Sequence, residues 1–438
     1  MSTRNSFART GVAAFALAAT VTLAACSSGT SDPAASESSA PAASEGVDLA
    51  GSTVTMTVPV TESGDSPYVL ISDAYMAEFP DRTIELQELP GDSYAQSVRT
   101  QLQAGNASDI IYVTPGGGNP QALQPFAASG FLAPLDGTGA EDTIPDSSRS
   151  LFEVDGVLYG QGLDLTVVSA VVNAGVMAED GVEMPATYDE MLGLCGDIAA
   201  DGKSLFVVAG TAVPNTGLTS MAVAASRVYA PEPDWNDKRA AGEVTFAESE
   251  GWLDTLNALI EMNDSGCFQE GVEGGDFGTI TVGLGQGTSY AAFIPSGAAF
   301  QLATETGGTF TVDAMPGLTE DTTLIYASIN NALALTADAE NAEAAQAFLD
   351  WLAQSENLVT YANDSGNLPL GPITADDLPE AYQPVAQYIV DQNYAVLPNQ
   401  AWTNGEVYNA LGMGVQGLFT GQTTPEDVLA AMDAAWDK

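Results

Sequence analysis

The 438-residue chain contains no histidine, only 10 Lys+Arg and only 3 cysteines. Without imidazole there is no Ser-His-Asp or Cys-His nucleophile system, no HExxH zinc site, and no haem or copper held by histidine. Ten scattered bases cannot neutralise a run of phosphates, which excludes nucleic-acid binding, and they cannot form the polybasic patch that docks on anionic lipid. Long apolar runs are missing too: the longest, over residues 11–25, falls short of the roughly 18–20 residues of a membrane-spanning helix. Nor is there a phosphate loop. Gly283-Leu284-Gly285-Gln286-Gly287 is the nearest candidate, and it lacks both the strand-to-helix setting and the Lys.

What is abundant is acid. The 58 Asp+Glu give a formal net charge of −48, yet only 16% of residues are charged and 45% are hydrophobic. That much apolar content buries a large core, so the chain is not a disordered acidic tail, and its length predicts two or three domains or lobes. The chemistry left open is binding, or catalysis on carboxylates, hydroxyls and aromatics.

At the N-terminus, Arg4 and Arg9 precede the short apolar stretch, and Leu23-Ala24-Ala25-Cys26 follows it. This resembles the lipobox of a bacterial lipoprotein signal peptide. The resemblance implies cleavage after residue 25, lipidation of Cys26, and a protein held on the outer face of the cytoplasmic membrane. Residues 26–47 are Ser, Ala, Gly, Pro and acid with hardly a large apolar side chain, a flexible tether. Cleavage removes Arg4 and Arg9 and no acid, taking the net charge to −50. Cys195 and Cys267 are then the only thiols besides the anchor; outside the membrane they favour a disulfide, with two buried free thiols as the alternative.

From residue 52 strands and helices alternate. Residues 53–58 alternate apolar and polar side chains, Ser66-Pro67 reads as a helix start, 83–89 as a strand, 94–104 as a helix and 110–113 as a buried strand before the break Pro115-Gly116-Gly117-Gly118. Further on, Thr187-Tyr188-Asp189-Glu190 reads as a capping box, and Thr424-Pro425-Glu426-Asp427 caps a last helix. This pattern predicts an α/β fold with mostly parallel sheet.

A series of short motifs then carries a family likeness: Gln103-Ala104-Gly105 through Asp109-Ile110-Ile111, Gly130-Phe131-Leu132-Ala133-Pro134-Leu135-Asp136, Val154-Asp155-Gly156-Val157-Leu158-Tyr159-Gly160, Val171-Val172-Asn173, Pro185-Ala186-Thr187-Tyr188-Asp189-Glu190, the stretch 343–352, and Gly366-Asn367-Leu368-Pro369. In this order they resemble the extracellular solute-binding proteins of ABC importers, the maltose-binding-protein-like group, over roughly residues 50–438. The resemblance implies a two-lobed fold with a hinge and a ligand cleft. Mapped by these motifs, lobe 1 is residues 48–163 plus 310–348, and lobe 2 is 164–309 plus 349–438, which puts Cys195 and Cys267 in one lobe.

Sugar recognition calls for flat aromatics against the apolar face of a pyranose and for carboxylates or amides paired with vicinal hydroxyls. The candidate ligand residues are Asp65 after the first strand, Asp164 at the first crossover, Tyr290 and Phe300 around Phe293-Ile294-Pro295-Ser296-Gly297, and Trp402 in a polar stretch where the resemblance places a stacking Trp. Each has a bland alternative: helix-dipole complement for Asp65, core packing for the aromatics. Trp252, Trp351 and Trp436 fall on helical stripes and read as core, while Trp235 reads either way. Ala298, Val113, Val171 and Val172 stand where the family carries aromatics, which argues against a maltodextrin.

The expectation is a monomeric surface lipoprotein that captures a neutral sugar or oligosaccharide and delivers it to a membrane permease, with no catalytic residue, metal or cofactor. A cationic solute such as a polyamine is the alternative within binding proteins, and a carboxylate-dependent glycosidase is the alternative of another class.

Overall fold

The computed structural model describes residues 49–60 and 66–438. The expected signal peptide, the tether with Cys26, and Asp65 lie outside the described residues. The fold is α/β with two lobes, each built on its own five-stranded sheet.

The strands in chain order are β1 (Thr53–Pro59), β2 (Thr83–Leu89), β3 (Ile110–Val113), β4 (Glu153–Val154), β5 (Val157–Leu158), β6 (Gln161–Gly162), β7 (Leu165–Asn173), β8 (Ser204–Phe206), β9 (Ser289–Pro295), β10 (Phe310–Asp313), β11 (Tyr326–Ile329) and β12 (Ala332–Leu335). The first sheet runs β2-β1-β3-β12-β6. Its β1 is parallel to both β2 and β3, and β12 closes it antiparallel to β3 and β6. The alternation of β1 buries Val54, Met56 and Val58, and helices Pro67–Glu78 and Gly91–Ala104 supply Tyr68, Ile71, Tyr75, Tyr94 and Val98 to the same core.

In the second sheet β7 is the central strand. Its residues after Leu165 are all buried, as a strand covered on both faces requires. It pairs antiparallel with β9 along one edge, and with β10 and then β11 along the other; β8 lies parallel to β9. The capping box at Thr187 and Glu190 is present, and Thr424 caps the last helix by accepting from the Asp427 N–H. Cys195 and Cys267 form a disulfide inside this lobe, both sulfurs fully buried.

The chain crosses between sheets three times: at Leu163-Asp164 between β6 and β7, at Asn330-Asn331 between β11 and β12, and at 365–367, where helix Ser355–Ser365 leaves the first lobe before Leu368 bridges to Leu165. These crossings differ from the division expected at 310 and 348. Strands β10 and β11 belong to the second sheet because their backbone partners lie on β7. Conversely, Leu349, Trp351, Leu352, Leu358 and Tyr361 pack in the first lobe's core, where the Trp351 indole N–H donates to Glu78 Oε2 at 2.9 Å.

A candidate solute site at the seam between the lobes

In an open α/β sheet the carboxyl ends of parallel strands face the ligand crevice. Here β1 ends at Pro59, the next described element is helix Pro67–Glu78 preceded by Ser66, and β3 ends at Val113, followed by Thr114-Pro115-Gly116-Gly117-Gly118. Ser66 occupies the N-cap position, as its sequence suggests, but its hydroxyl makes no capping bond. Ser66 Oγ and Thr114 Oγ1 are both buried and without a hydrogen-bond partner.

The second lobe answers with the turn Pro398–Ala401 and the residues after it. The turn is held from its own lobe by Asn236 Nδ2, which donates to the Pro398 carbonyl at 3.0 Å. Gln400 Nε2 donates to the Ile329 carbonyl at 2.9 Å, beside the second crossing. Across the seam, the Gly117 N–H donates to the Gln400 carbonyl at 3.0 Å, and Asn399 Nδ2 donates to Asn119 Oδ1 at 3.2 Å. The backbones touch so closely that a methyl group at Gly116 would lie 2.0 Å from the Gln400 oxygen, and Gly116 also needs its positive φ of 81°. Asn399 Oδ1 and Gln400 Oε1 are buried without partners.

Four buried side-chain oxygens on the segments that flank this seam are unpaired: two hydroxyls on the first lobe, at Ser66 and Thr114, and two amide carbonyls on the second, at Asn399 and Gln400. An orphaned buried polar atom costs about 1–3 kcal/mol, so such a set asks for a polar guest. None of the four side chains is charged.

The hinge beside the seam is knotted by Asp164, whose side chain is fully buried. Its Oδ1 accepts from Asn331 Nδ2 at 3.0 Å and from Thr166 Oγ1 at 3.1 Å; its Oδ2 accepts from Asn367 Nδ2 at 2.9 Å and Ser365 Oγ at 3.0 Å. The donors come from all three crossings. Burial pushes the carboxyl above the usual carboxylate range, and these hydrogen bonds only partly offset it.

Of the five residues singled out from the sequence, Asp65 lies outside the described residues, and the other four are not brought together. Asp164 sits at the hinge with both oxygens occupied by protein donors, so it is a structural node rather than a free ligand contact. Phe300, on helix Gly297–Thr306, is 51% exposed beside the third crossing; a methyl group at Gly366 would lie 2.6 Å from its Cβ. Tyr290 is at the far end of β9 from Pro295, which pairs next to the hinge, and its hydroxyl donates to Asp180 Oδ2 at 2.7 Å with Lys203 over the ring. Trp402 corrects the expectation most clearly. Its ring is 1% exposed among Phe246, Trp252 and Tyr408, all of the second lobe, and it meets the glycines through its backbone carbonyl and Cβ. Trp235 is likewise core. Thr114, Asn399 and Gln400 were missed, although three consecutive glycines after a strand and an amide pair beside Trp402 were signals in plain view.

Among the described residues no group of three or more His, Cys, Asp or Glu is arranged to hold a metal, and no helix is long and apolar enough to cross a membrane.

The family profile described as bacterial extracellular solute-binding protein matches residues 59–359. A search of curated proteins finds no match. Among solved structures, the solute-binding protein RafE in complex with raffinose superposes with a TM-score of 0.72 at 17% identity, over 88% of this chain and 98% of that one. A sugar transporter protein from Bacillus licheniformis in complex with stachyose gives 0.69 at 16%, over 87% and 98%. The GacH receptor of Streptomyces glaucescens, studied unliganded and with acarbose, gives 0.70 at 14%, over 88% and 97%.

Proposed function

The chain belongs to the bacterial extracellular solute-binding proteins, and from that premise we propose that it captures a neutral carbohydrate between its lobes and hands it to a membrane permease. Members of this family bind solutes rather than transform them, so the glycosidase alternative is set aside. The observation that carries the carbohydrate reading is the seam itself. Ser66 Oγ, Thr114 Oγ1, Asn399 Oδ1 and Gln400 Oε1 are buried, uncharged and unpaired, the complement of a solute that offers several hydroxyl donors and no charge. Three structural neighbours with sugars or acarbose in their descriptions support the same class.

Capture works by lobe closure. A guest that touches both lobes favours the closed arrangement by its differential affinity for it. Phe300, exposed beside the third crossing, offers a flat apolar face for a sugar ring, and Asp65 is retained as a candidate contact. The site would work in a protein tethered through lipidated Cys26, with the permease reading the closed form.

The test is a thermal-shift screen of the mature protein against raffinose, stachyose, chitin oligosaccharides and spermidine. A sugar at a hundredfold excess over its Kd stabilises by about 2.7 kcal/mol, a shift of several degrees. A rise with spermidine and none with any sugar overturns the carbohydrate reading in favour of a cationic solute. For the anchor, Cys26→Ser releases the protein from the membrane fraction; full retention overturns the lipidation reading.

A further inference from the structure

A buried carboxylate normally finds a cation. Asp164 has none among its hydrogen-bond partners: Thr166, Asn331, Ser365 and Asn367 are all neutral donors. Four tyrosines from other elements lie within its electrostatic reach, namely Tyr68 on helix Pro67–Glu78, Tyr112 on β3, Tyr361 on helix Ser355–Ser365 and Tyr382 on the turn Glu380–Val385. Burial of this carboxylate carries a desolvation cost that its four neutral donors only partly offset. What the charge supplies is geometry. Only a carboxylate accepts at both oxygens, and here each oxygen takes donors from different crossings.

The network reaches on from there. Tyr112 Oη donates to Asn331 Oδ1 at 3.2 Å, tying the end of the first sheet to the second crossing. Ser296 Oγ donates to Asn367 Oδ1 at 3.0 Å and accepts from the Val167 N–H at 3.1 Å, tying the third crossing to β7 and to the helix that carries Phe300. Asn331 also neighbours Asn330, whose Oδ1 and the Ile329 carbonyl both receive Gln400 Nε2. The carboxylate is therefore two residues removed from the seam turn on one side and from the exposed ring on the other.

We infer that Asp164 is a positioning residue for solute capture: by holding the three crossings in one register it sets the lobe arrangement in which Gly116–Gly118 meet Asn399–Trp402. The inference rests on the proposed lobe closure but not on the identity of the solute.

The experiment uses the ligand-free full chain and follows amide hydrogen exchange at Gly117, whose N–H is donated across the seam, together with amides in β1 and β9 that report the two cores. In Asp164→Asn, the new amide puts an NH2 against the donors of Asn367 and Ser365 or of Asn331 and Thr166. Exchange at Gly117 rises at least tenfold while β1 and β9 stay as in the parent. The double variant Asp164→Asn with Asn367→Asp, which exchanges donor and acceptor between the first and third crossings, recovers part of the lost protection. Unchanged exchange at Gly117, or an equal rise in β1 and β9, overturns the inference, the latter by showing a general loss of stability. Should Asp164→Asn not fold, Ser365→Ala removes a single donor from the third crossing and must raise exchange at Gly117 alone; a flat response there overturns the inference as well. Because no solute is added, this outcome is independent of the sugar screen.

Discussion

Gly118 and the carbonyl of Asn399 stand so close that a methyl group at position 118 would lie 1.7 Å from the Asn399 oxygen. The two residues belong to different lobes, so the contact measures how tightly the seam closes. Gly118 is not among the glycines with left-handed φ, and alanine suits its backbone. The clash in Gly118→Ala therefore falls on the seam and not on the loop. Overpacking of this kind costs about 1–3 kcal/mol, which translates to a roughly 5- to 150-fold loss of affinity for whichever sugar gives the largest thermal shift. Calorimetric titration reads this directly, with the unfolding midpoint nearly unchanged. Parent-like affinity would mean that these loops do not close over the solute.

The disulfide predicts a lobe-specific effect. Cys195 on helix Tyr188–Ala200 and Cys267 after helix Glu250–Asp264 are 72 residues apart, and both are buried in the second lobe's core. In the chain-entropy model, losing a crosslink of that span costs about 4 kcal/mol. Replacing both cysteines by alanine should lower the unfolding free energy from urea titration by that amount, and limited proteolysis should cut the second lobe first. Equal loss of protection in both lobes would show that they unfold as one unit.

Two buried aspartates pull the pH profile in opposite directions. Burial disfavours the Asp109 carboxylate, but the Thr55 and Asn341 N–H groups at 2.8 and 2.9 Å and the Thr55 hydroxyl outweigh it and hold its pKa below the usual range. Its contribution is present above about pH 4 and lost as pH falls through its folded pKa. Asp164 is raised, so its contribution is complete below about pH 4 and lost as pH rises through its folded value. Asp109→Asn should cost about 2 kcal/mol at pH 7 and flatten the acid limb of urea stability; Asp164→Asn should flatten the loss on the other side of pH 4. The same slope in variant and parent would contradict the assignment.

Much of this was legible in the chain because it is local. The alternation of β1, the capping box at Thr187 and Glu190, and the stripe of Phe348, Leu349 and Leu352 are short-range patterns, and each forms the element that its spacing suggests. Two cysteines in an exported body likewise pointed to their pairing. The failures are non-local. Nothing within residues 310–313 says that their partners are Ala170 to Asn173, so the second crossing was misplaced. The polar surroundings of Trp402 suggested an exposed ring, while its actual neighbours, Phe246 and Trp252, come from distant segments. Unpaired oxygens such as Gln400 Oε1 exist only once the lobes meet.

Trp402 and Phe300 give the sharpest contrast between a core ring and a binding ring. Truncating a fully buried Trp among aromatic partners costs about 3–5 kcal/mol, so Trp402→Ala should lower the unfolding midpoint strongly and Trp402→Phe less so. Phe300 is half exposed, and Phe300→Ala should change stability by no more than about 0.5 kcal/mol. A stacking contact is worth about 0.5–1.5 kcal/mol, so the same change should weaken sugar binding roughly 2- to 10-fold. Thermal unfolding and calorimetric titration of the three variants separate the two roles. The opposite pattern, with Trp402→Phe sparing stability but abolishing binding and Phe300→Ala silent in both, would return the stacking role to Trp402.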